Sequence, residues 1–414
     1  MKFLIRNIRI RITKRSKVKA AFINSVAGFG STGRLVEQLS QMPGIEGKIY
    51  YGRGSYTGPT PSFRFAGFFD NAVQAADTFL FDRHALSNTR NTQKAMEDLK
   101  QFDPDLVHLH NLHGYYLNME TVFQALAEMK VPVIWTLHDC WSFTGHCAHY
   151  DSLKCDQWKT QCVRCPKLNT YPYQWNGRHV TENYELKKTL FHSLGNRLTL
   201  VVPSEWLKSQ VEQSFLKDVE CLVIHNGIDL NTFHPVESDF RKEYDLEDKR
   251  VYLAAASVWT KTKGFDDLVQ LSTYLSSDEA LVIVGVSRSQ QRQLSHANVI
   301  ALERLSSANV MAQVYSAADV LLNPTYEDTF PTVNLEAQAC GCGVVTYRTG
   351  GSSEMVTEKT GAVVEKGNWD ELLNAARNLS AEKEDCIRHA QQFTKEKMLN
   401  QYFQLYKEKD DYIQ

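Results

Sequence analysis

The sequence predicts an α/β protein built from two Rossmann-like domains that face each other across a cleft. Its 414 residues exceed what one hydrophobic core organises, so two domains of ordinary size are expected. Short apolar runs alternate with helix-patterned stretches, which is the pattern of a parallel sheet covered on both faces. The alternation restarts after residues 224–229, placing a second such unit behind the first.

The first strand is read at 19–24 (KAAFIN), an apolar run ending in the turn-prone stretch 25–33. A helix follows near Thr32 or Gly33, with Leu35, Val36 and Leu39 at helical spacing. Strand, glycine loop and helix in that order open a nucleotide-binding type of α/β unit. Further strands are read at 106–109, 133–137 and 198–202, and Ser204–Glu205–Trp206 after Pro203 starts a helix. In the second half, strands at 251–256, 280–285, 319–323 and 343–347 alternate with helices at 263–275, 310–317 and 334–340. The stretch 386–406 is polar and helical. Expected boundaries are a basic extension over 1–17, a first domain over 18–220 with a cysteine-rich insertion near 140–175, and a second domain over 221–385. A C-terminal helix over 386–414 is expected to pack back on the first domain.

Composition narrows the class. Hydrophobic residues at 43% and charged residues at 23% are those of a globular chain, and a net charge of −2 gives no field for nucleic acid. The longest apolar stretches are too short to cross a bilayer, and no secretory signal is evident. Nine cysteines, an odd number, suit a reducing cytosol. Residues 1–17 carry Lys2, Arg6, Arg9, Arg11, Lys14, Arg15 and Lys17 without an acid, interleaved with apolar residues. This reads either as a basic amphipathic segment lying on anionic membrane lipid or as a solvated extension.

Chemistry concentrates in 323–343 (NPTYEDTFPTVNLEAQACGCG). A strand stops at Pro324, a loop carrying Glu327 and Asp328 follows, and a helix opens around Thr332–Asn334 with Glu336 near its first turn. Free N–H groups at a helix start suit phosphate oxygens. Glu336 suits a ribose diol, and the loop acids can accept hydrogen bonds from sugar hydroxyls. The plainer reading is a surface loop whose acids cap a helix.

This run resembles the paired-acid donor motif of retaining glycosyltransferases with the GT-B fold, glycosyltransferase family 4. The agreement is greatest with the bacterial branch that builds capsular, colanic-acid-like and other exopolysaccharides. The resemblance extends over nearly the whole chain after residue 18. It includes NSVAGFGSTGR, VHLHNLHGYYLN, WTLHDCWSFTGHC, HNGIDL and VYSAADVLLNPT. It implies donor contacts from Thr329, Phe330, Pro331, Thr332 and Asn334, and its spacing pairs Asp328 with Glu336, leaving Glu327 beside them. The family's phosphate-binding pair is an Arg followed by Lys-Gly. Lys263–Gly264 is present, but Ser257 and Val258 stand where the Arg belongs. Lys261 is expected either to supply that charge or to be a solvated loop lysine.

The loop 28–33 has a G-x-G-x-x-G pattern but no acid after the second strand, which argues against a dinucleotide site. The resemblance implies that Gly30 and its neighbours, Gly28 among them, approach the donor diphosphate or acceptor; a tight structural turn is the competing reading. His138 follows a strand at the sheet edge where ligands bind, and the resemblance makes it the residue facing the transferred sugar. His110 and Asn111, at another strand end, are cleft candidates for the acceptor.

Cys147, Cys155, Cys162 and Cys165 lie within twenty residues and suit a structural zinc, although the spacing holds only one C-x-x-C; buried thiols are the competing reading. The reaction implied by the resemblance is sugar transfer from a nucleoside-diphosphate sugar to a glycan acceptor, lipid-linked, with retention. Diphosphate departure is helped by Lys263, and no other cofactor is required because no D-x-D follows a strand. The expected location is cytoplasmic, peripheral on the inner membrane face. A non-catalytic or regulatory homologue is the main alternative, ahead of a nucleotide-sugar-modifying enzyme.

Overall fold

The computed structural model describes residues 17–294 and 296–411. Of the basic extension only Lys17 falls among them, so the membrane reading of residues 1–17 lies outside the described residues. The first sheet is parallel, with the order β3-β2-β1-β4-β5-β6-β7. Its strands are β1 (Val18–Val26), β2 (Ile45–Arg53), β3 (Ser62–Arg64), β4 (Leu106–Leu109), β5 (Val133–Thr136), β6 (Leu198–Val202) and β7 (Glu220–Val223). Its helices are α1 (Gly30–Ser40), α2 (Phe68–Phe81), α3 (Thr89–Phe102), α4 (Met119–Met129), α5 (Val180–His192) and α6 (Glu205–Val211).

The second sheet, also parallel, has the order β10-β9-β8-β11-β12-β13. It comprises β8 (Arg250–Ala255), β9 (Glu279–Val284), β10 (Val299–Leu302), β11 (Val320–Asn323), β12 (Gly343–Tyr347) and β13 (Gly361–Val364). Its helices are α7 (Phe240–Glu243), α8 (Phe265–Ser272), α9 (Arg288–Gln291), α10 (Ala308–Ala317), α11 (Val333–Ala339), α12 (Trp369–Asn378) and α13 (Lys383–Ala390). Central strands such as β1, β5, β6 and β9 are buried on both faces, which is why they read as largely apolar runs. Ser204 accepts the Leu207 N–H at the helix start expected there, and Ser307 caps α10, two residues before its expected start, by accepting the Val310 N–H.

Two boundaries differ from expectation. Strand β7 completes the first sheet, so that domain runs past residue 220; as a partly exposed edge strand (ECLV) it lacks the continuous apolar signature. The C-terminal segment is two helices. α13 packs on α11 of the second domain, and the chain then breaks before α14 (Lys395–Asp411). Only α14 crosses to the first domain, where Met398, Tyr402, Leu405 and Tyr406 bury against β1 and its neighbours. The Tyr406 hydroxyl meets His108 Nδ1 at 2.6 Å, and Tyr402 meets Thr136 at 3.0 Å.

Strand order reverses between β1 and β4 in one sheet and between β8 and β11 in the other. Loops leaving adjacent parallel strands in opposite directions open a crevice at the strands' C-terminal ends, and ligands bind there in open α/β sheets. Among the described residues, no helix is long and apolar enough to cross a membrane.

Candidate active site

The switch point of the second sheet brings together the loop after β8 and the loop after β11. A short 3₁₀ turn, Lys261–Lys263, ends at Gly264, whose φ of 79° favours glycine and whose missing Cβ leaves room for the Pro324 carbonyl. The loops are tied by the Tyr326 N–H donating to the Thr262 carbonyl at 2.8 Å. This positions Lys263, which donates to Asp328 Oδ2 at 2.6 Å. Asp328 Oδ1 accepts the Phe330 N–H at 3.1 Å, fixing the carboxylate at the mouth of α11. Gly350, with φ of 51°, packs directly on the Asp328 carbonyl.

Glu336 is half-buried in the first turn of α11, accepting hydrogen bonds from Tyr315 at 3.2 Å and Thr332 at 3.1 Å. Burial raises its pKa, against those two hydrogen bonds and the positive charge of Arg34. Arg34 belongs to α1 of the first domain, so the two crevices face each other. Gly28 and Gly30 lie at that α1 entrance with φ of 72° and 67°. A Cβ on Gly30 would meet nothing within 4 Å, so backbone conformation, not crowding, calls for glycine there.

On the first domain, His138 follows β5 and His110 follows β4. Their rings stack at 5.3 Å, with His110 Nδ1 3.0 Å from His138 Nε2. Burial lowers the His138 pKa to about 4, against the pull of Asp139, so its imidazole is neutral near pH 7. Asp139 pairs with His113 at 2.8 Å and accepts the Trp141 N–H at 2.9 Å. The Asn111 N–H donates to Asn24 Oδ1 at 3.2 Å, tying the loop after β4 to the end of β1.

The domains meet through pairs of residues far apart in the sequence. Thr329 donates to the His138 carbonyl at 2.8 Å. Glu327 pairs with Lys167 of the cysteine-rich insertion and accepts the Ser152 N–H at 3.2 Å. Burial works to raise the Glu327 pKa, but Lys167 and Ser152 outweigh it and the carboxyl ends lowered. Lys366 pairs with Asp151 of the same insertion, and Glu354 accepts the free N–H groups of Glu205 and Trp206 that start α6.

This geometry separates the expected site residues. Lys263, Asp328, Thr332 and Glu336 gather at the second sheet's switch point, and Thr329 joins that loop to His138. Glu327 is instead engaged across the domains. Phe330 is buried, stacked on His225 at 5.3 Å, and Pro331 is buried beside it. Asn334 is also buried, its Oδ1 accepting from Asn323 at 2.8 Å. These three side chains pack within the loop that carries Asp328. Lys261 is 88% exposed, with its ammonium 3.8 Å from Asp266. Arg34, Lys167 and Asp151 were not singled out by sequence, because isolated charges in polar stretches carry no periodicity.

Cys147, Cys155, Cys162 and Cys165 line one small cavity of about 10 Å³ in the insertion, with Trp158 and Tyr150 in its wall. They share a chamber, as a structural zinc requires. As placed, however, no three His, Cys, Asp or Glu side chains among the described residues are set to hold a metal ion.

Comparison with known proteins agrees with this architecture. The family model described as Glycosyltransferase Family 4 matches residues 55–232, and that described as Glycosyl transferases group 1 matches residues 249–382. The chain is 25% identical over 308 residues to the colanic acid biosynthesis glycosyl transferase WcaC of Escherichia coli K12, covering 72% of this chain and 73% of that one. It is 29% identical over 191 residues to a D-inositol 3-phosphate glycosyltransferase of Mycobacterium, covering 42% and 43%. Among solved structures, sucrose-phosphate synthase from Thermosynechococcus elongatus superposes with a TM-score of 0.70 at 17% identity, over 95% of this chain and 99% of that one. Anabaena HepE in complex with UDP and glucose superposes with a TM-score of 0.64 at 14% identity, over 93% and 98%. With a glycosyltransferase family model on each domain and GT-B architecture in both sheets, the chain is a GT-B glycosyltransferase homologue.

Proposed function

We propose that the protein transfers a hexose or related sugar from a nucleoside-diphosphate sugar to a lipid-linked glycan acceptor, with retention, in cell-surface polysaccharide assembly. The observation that carries this is the Lys263–Asp328 pair at the switch point, opposite His138 and beside Glu336. The UDP and glucose in the HepE structure and the naming of the E. coli relative for colanic acid biosynthesis support the donor and the pathway class.

In this reading Glu336 receives the donor's ribose, and Lys263 stabilises the leaving diphosphate with the N–H groups that open α11. Asp328 sets the lysine's position and accepts from the sugar. Neutral His138 donates to or accepts from a sugar hydroxyl, held in place by His110. The departing phosphate takes the acceptor's proton on the same face. No cofactor beyond the donor is required.

Donor hydrolysis or transfer by the purified protein tests the proposal. Lys263→Ala and Glu336→Ala are each expected to lower kcat by on the order of 10²–10³ with unchanged circular dichroism. Full turnover in both would sink the assignment. A non-catalytic homologue is the second reading, favoured by Ser257 and Val258 at the family's arginine position; donor binding without turnover in the unaltered protein would establish it. We also propose structural zinc in the four-cysteine cavity and contact of basic residues 1–17 with anionic membrane. Elemental analysis finding no zinc, with all four thiols free to titrate in denaturant, would remove the metal.

A further inference from the structure

Among the described residues the chain crosses between the domains twice, at 224–229 after β7 and at 391–394 between α13 and α14. The two crossings are clasped together. The Ile228 N–H donates to the Phe393 carbonyl at 2.9 Å, and the Lys395 N–H donates to the Ile228 carbonyl at 2.8 Å. The Lys395 ammonium meets Asp229 at 2.6 Å. A Cβ on Gly227 would lie 2.5 Å from the Thr394 carbonyl oxygen, so only glycine permits this approach. The clasp is where the domains hinge.

Phe330, from the loop that carries Asp328, is wedged against that clasp. Its ring stacks on His225 of the first crossing, centroids 5.3 Å apart and planes 15° apart, and lies 6.2 Å from Phe393 of the second. Phe393 is in turn 5.4 Å from His225, so the three rings close a triangle. Ile228, Leu335, Ala339 and Met355 complete the apolar cluster around Phe330. His225 belongs to the other side. Ile224 before it packs in the first domain's core, and its Nδ1–H donates to the Pro203 carbonyl at 2.9 Å. A carbonyl only accepts, so the proton sits on Nδ1 and the ring is tethered to the end of β6. The His225–Phe330 stack is therefore a contact between the domains at their hinge.

We infer that His225 and Phe393 are positioning residues, which set the Asp328–Lys263 pair through Phe330. The links are short. The Phe330 N–H donates to Asp328 Oδ1 at 3.1 Å, and Asp328 Oδ2 accepts from Lys263 at 2.6 Å. A change in the angle between the domains must shear the His225–Phe330 stack or pull His225 from Pro203. Phe330 is 4% exposed, and a close-packed surround passes displacement on instead of absorbing it. Its backbone N–H then carries the displacement to the carboxylate that holds the lysine. Hinge angle and donor-site geometry change together, so the pair is assembled in one arrangement of the domains. The consequence for turnover rests on the proposed transfer, but the mechanical coupling does not.

The test is hydrogen exchange on the full chain without ligand, read in peptides covering 328–336. His225→Ala and Phe330→Leu are each expected to speed exchange of that segment by about tenfold while β1 and β9 keep their protection. His225→Phe keeps a ring against Phe330 and is expected to restore the protection. On the same samples, release of nucleoside diphosphate is followed with a panel of UDP- and GDP-sugars. His225→Ala is expected to lower kcat by roughly ten- to a hundredfold with the donor KM within about twofold, and His225→Phe to recover kcat. Unchanged exchange over 328–336 in both His225→Ala and Phe330→Leu overturns the inference. So does a rise shared by β1 and β9, which is general loosening and not positioning. Altered exchange over 328–336 in a protein that turns over no donor upholds the coupling and counts against the transfer reading alone, so the two failures are told apart.

Discussion

Replacing Lys167 with Met would remove the ammonium that faces Glu327 across the domain interface. The side chains of the pair are only 6% and 8% exposed, and without Lys167 the carboxylate keeps a single hydrogen bond, from the Ser152 N–H. Leaving a buried charge uncompensated costs about 3–5 kcal/mol. The chain can relieve that penalty without unfolding, because separating the domains returns Glu327 to water. The penalty should therefore appear as opening, not as melting of either sheet. About 3 kcal/mol corresponds to a shift of more than a hundredfold in the closed-to-open ratio. Small-angle scattering is expected to give a larger radius of gyration for Lys167→Met. Hydrogen exchange is expected to rise in the insertion and in 327–329, while β1 and β9 stay protected. The double variant Lys167→Met/Glu327→Gln removes the orphaned charge and is expected to recover most of the compact population. Identical scattering from Lys167→Met and the unaltered protein, or no recovery in the double variant, would refute the reasoning.

The Glu279–Arg377 pair gives a pH prediction. Two 2.8 Å hydrogen bonds from Arg377 lower the Glu279 pKa to about 2, against the burial of its side chain. A depressed carboxylate stabilises above its unfolded pKa, near 4.3, and that stability is lost as pH falls toward 2. Glu279→Gln is thus expected to cost about 1–2 kcal/mol at pH 7 after allowance for solvent screening, and the gap should close between about pH 4.5 and pH 2 in denaturant titrations. At the other end of the chain, Tyr406→Phe removes the partner of buried His108 Nδ1. It is expected to destabilise by about 1–3 kcal/mol, and urea unfolding with no change in midpoint would show that α14 is held by packing alone.

Strands β4, β6 and β12 were legible to the residue, because a parallel strand covered on both faces is apolar at most positions, with only His108, Thr199, Gly343 and Thr346 interrupting them. Strand β7 was not, since an edge strand exposes one side and loses that pattern. The single C-terminal helix expected over 386–414 failed for a different reason. The break before Lys395 is held by pairing of Thr394 with Ile228, a contact invisible to local periodicity. Likewise, Phe330 and Asn334 share a motif with Asp328 and Glu336, yet the turn into α11 points them into the core.

By itself the sequence determined two α/β units, the loop that carries Asp328 and Glu336, and the Lys263–Gly264 turn, because each is written in neighbouring residues by burial period, turn chemistry and helix start. Tertiary structure alone decided which acid serves which partner. Glu327 and Asp328 are adjacent in the chain, but one is claimed by Lys167 from 160 residues away and the other by Lys263. It also decided that Phe330 packs against both chain crossings. Electrostatic pairing and burial depend on what the fold brings within a few ångströms, and chain separation carries no record of that distance.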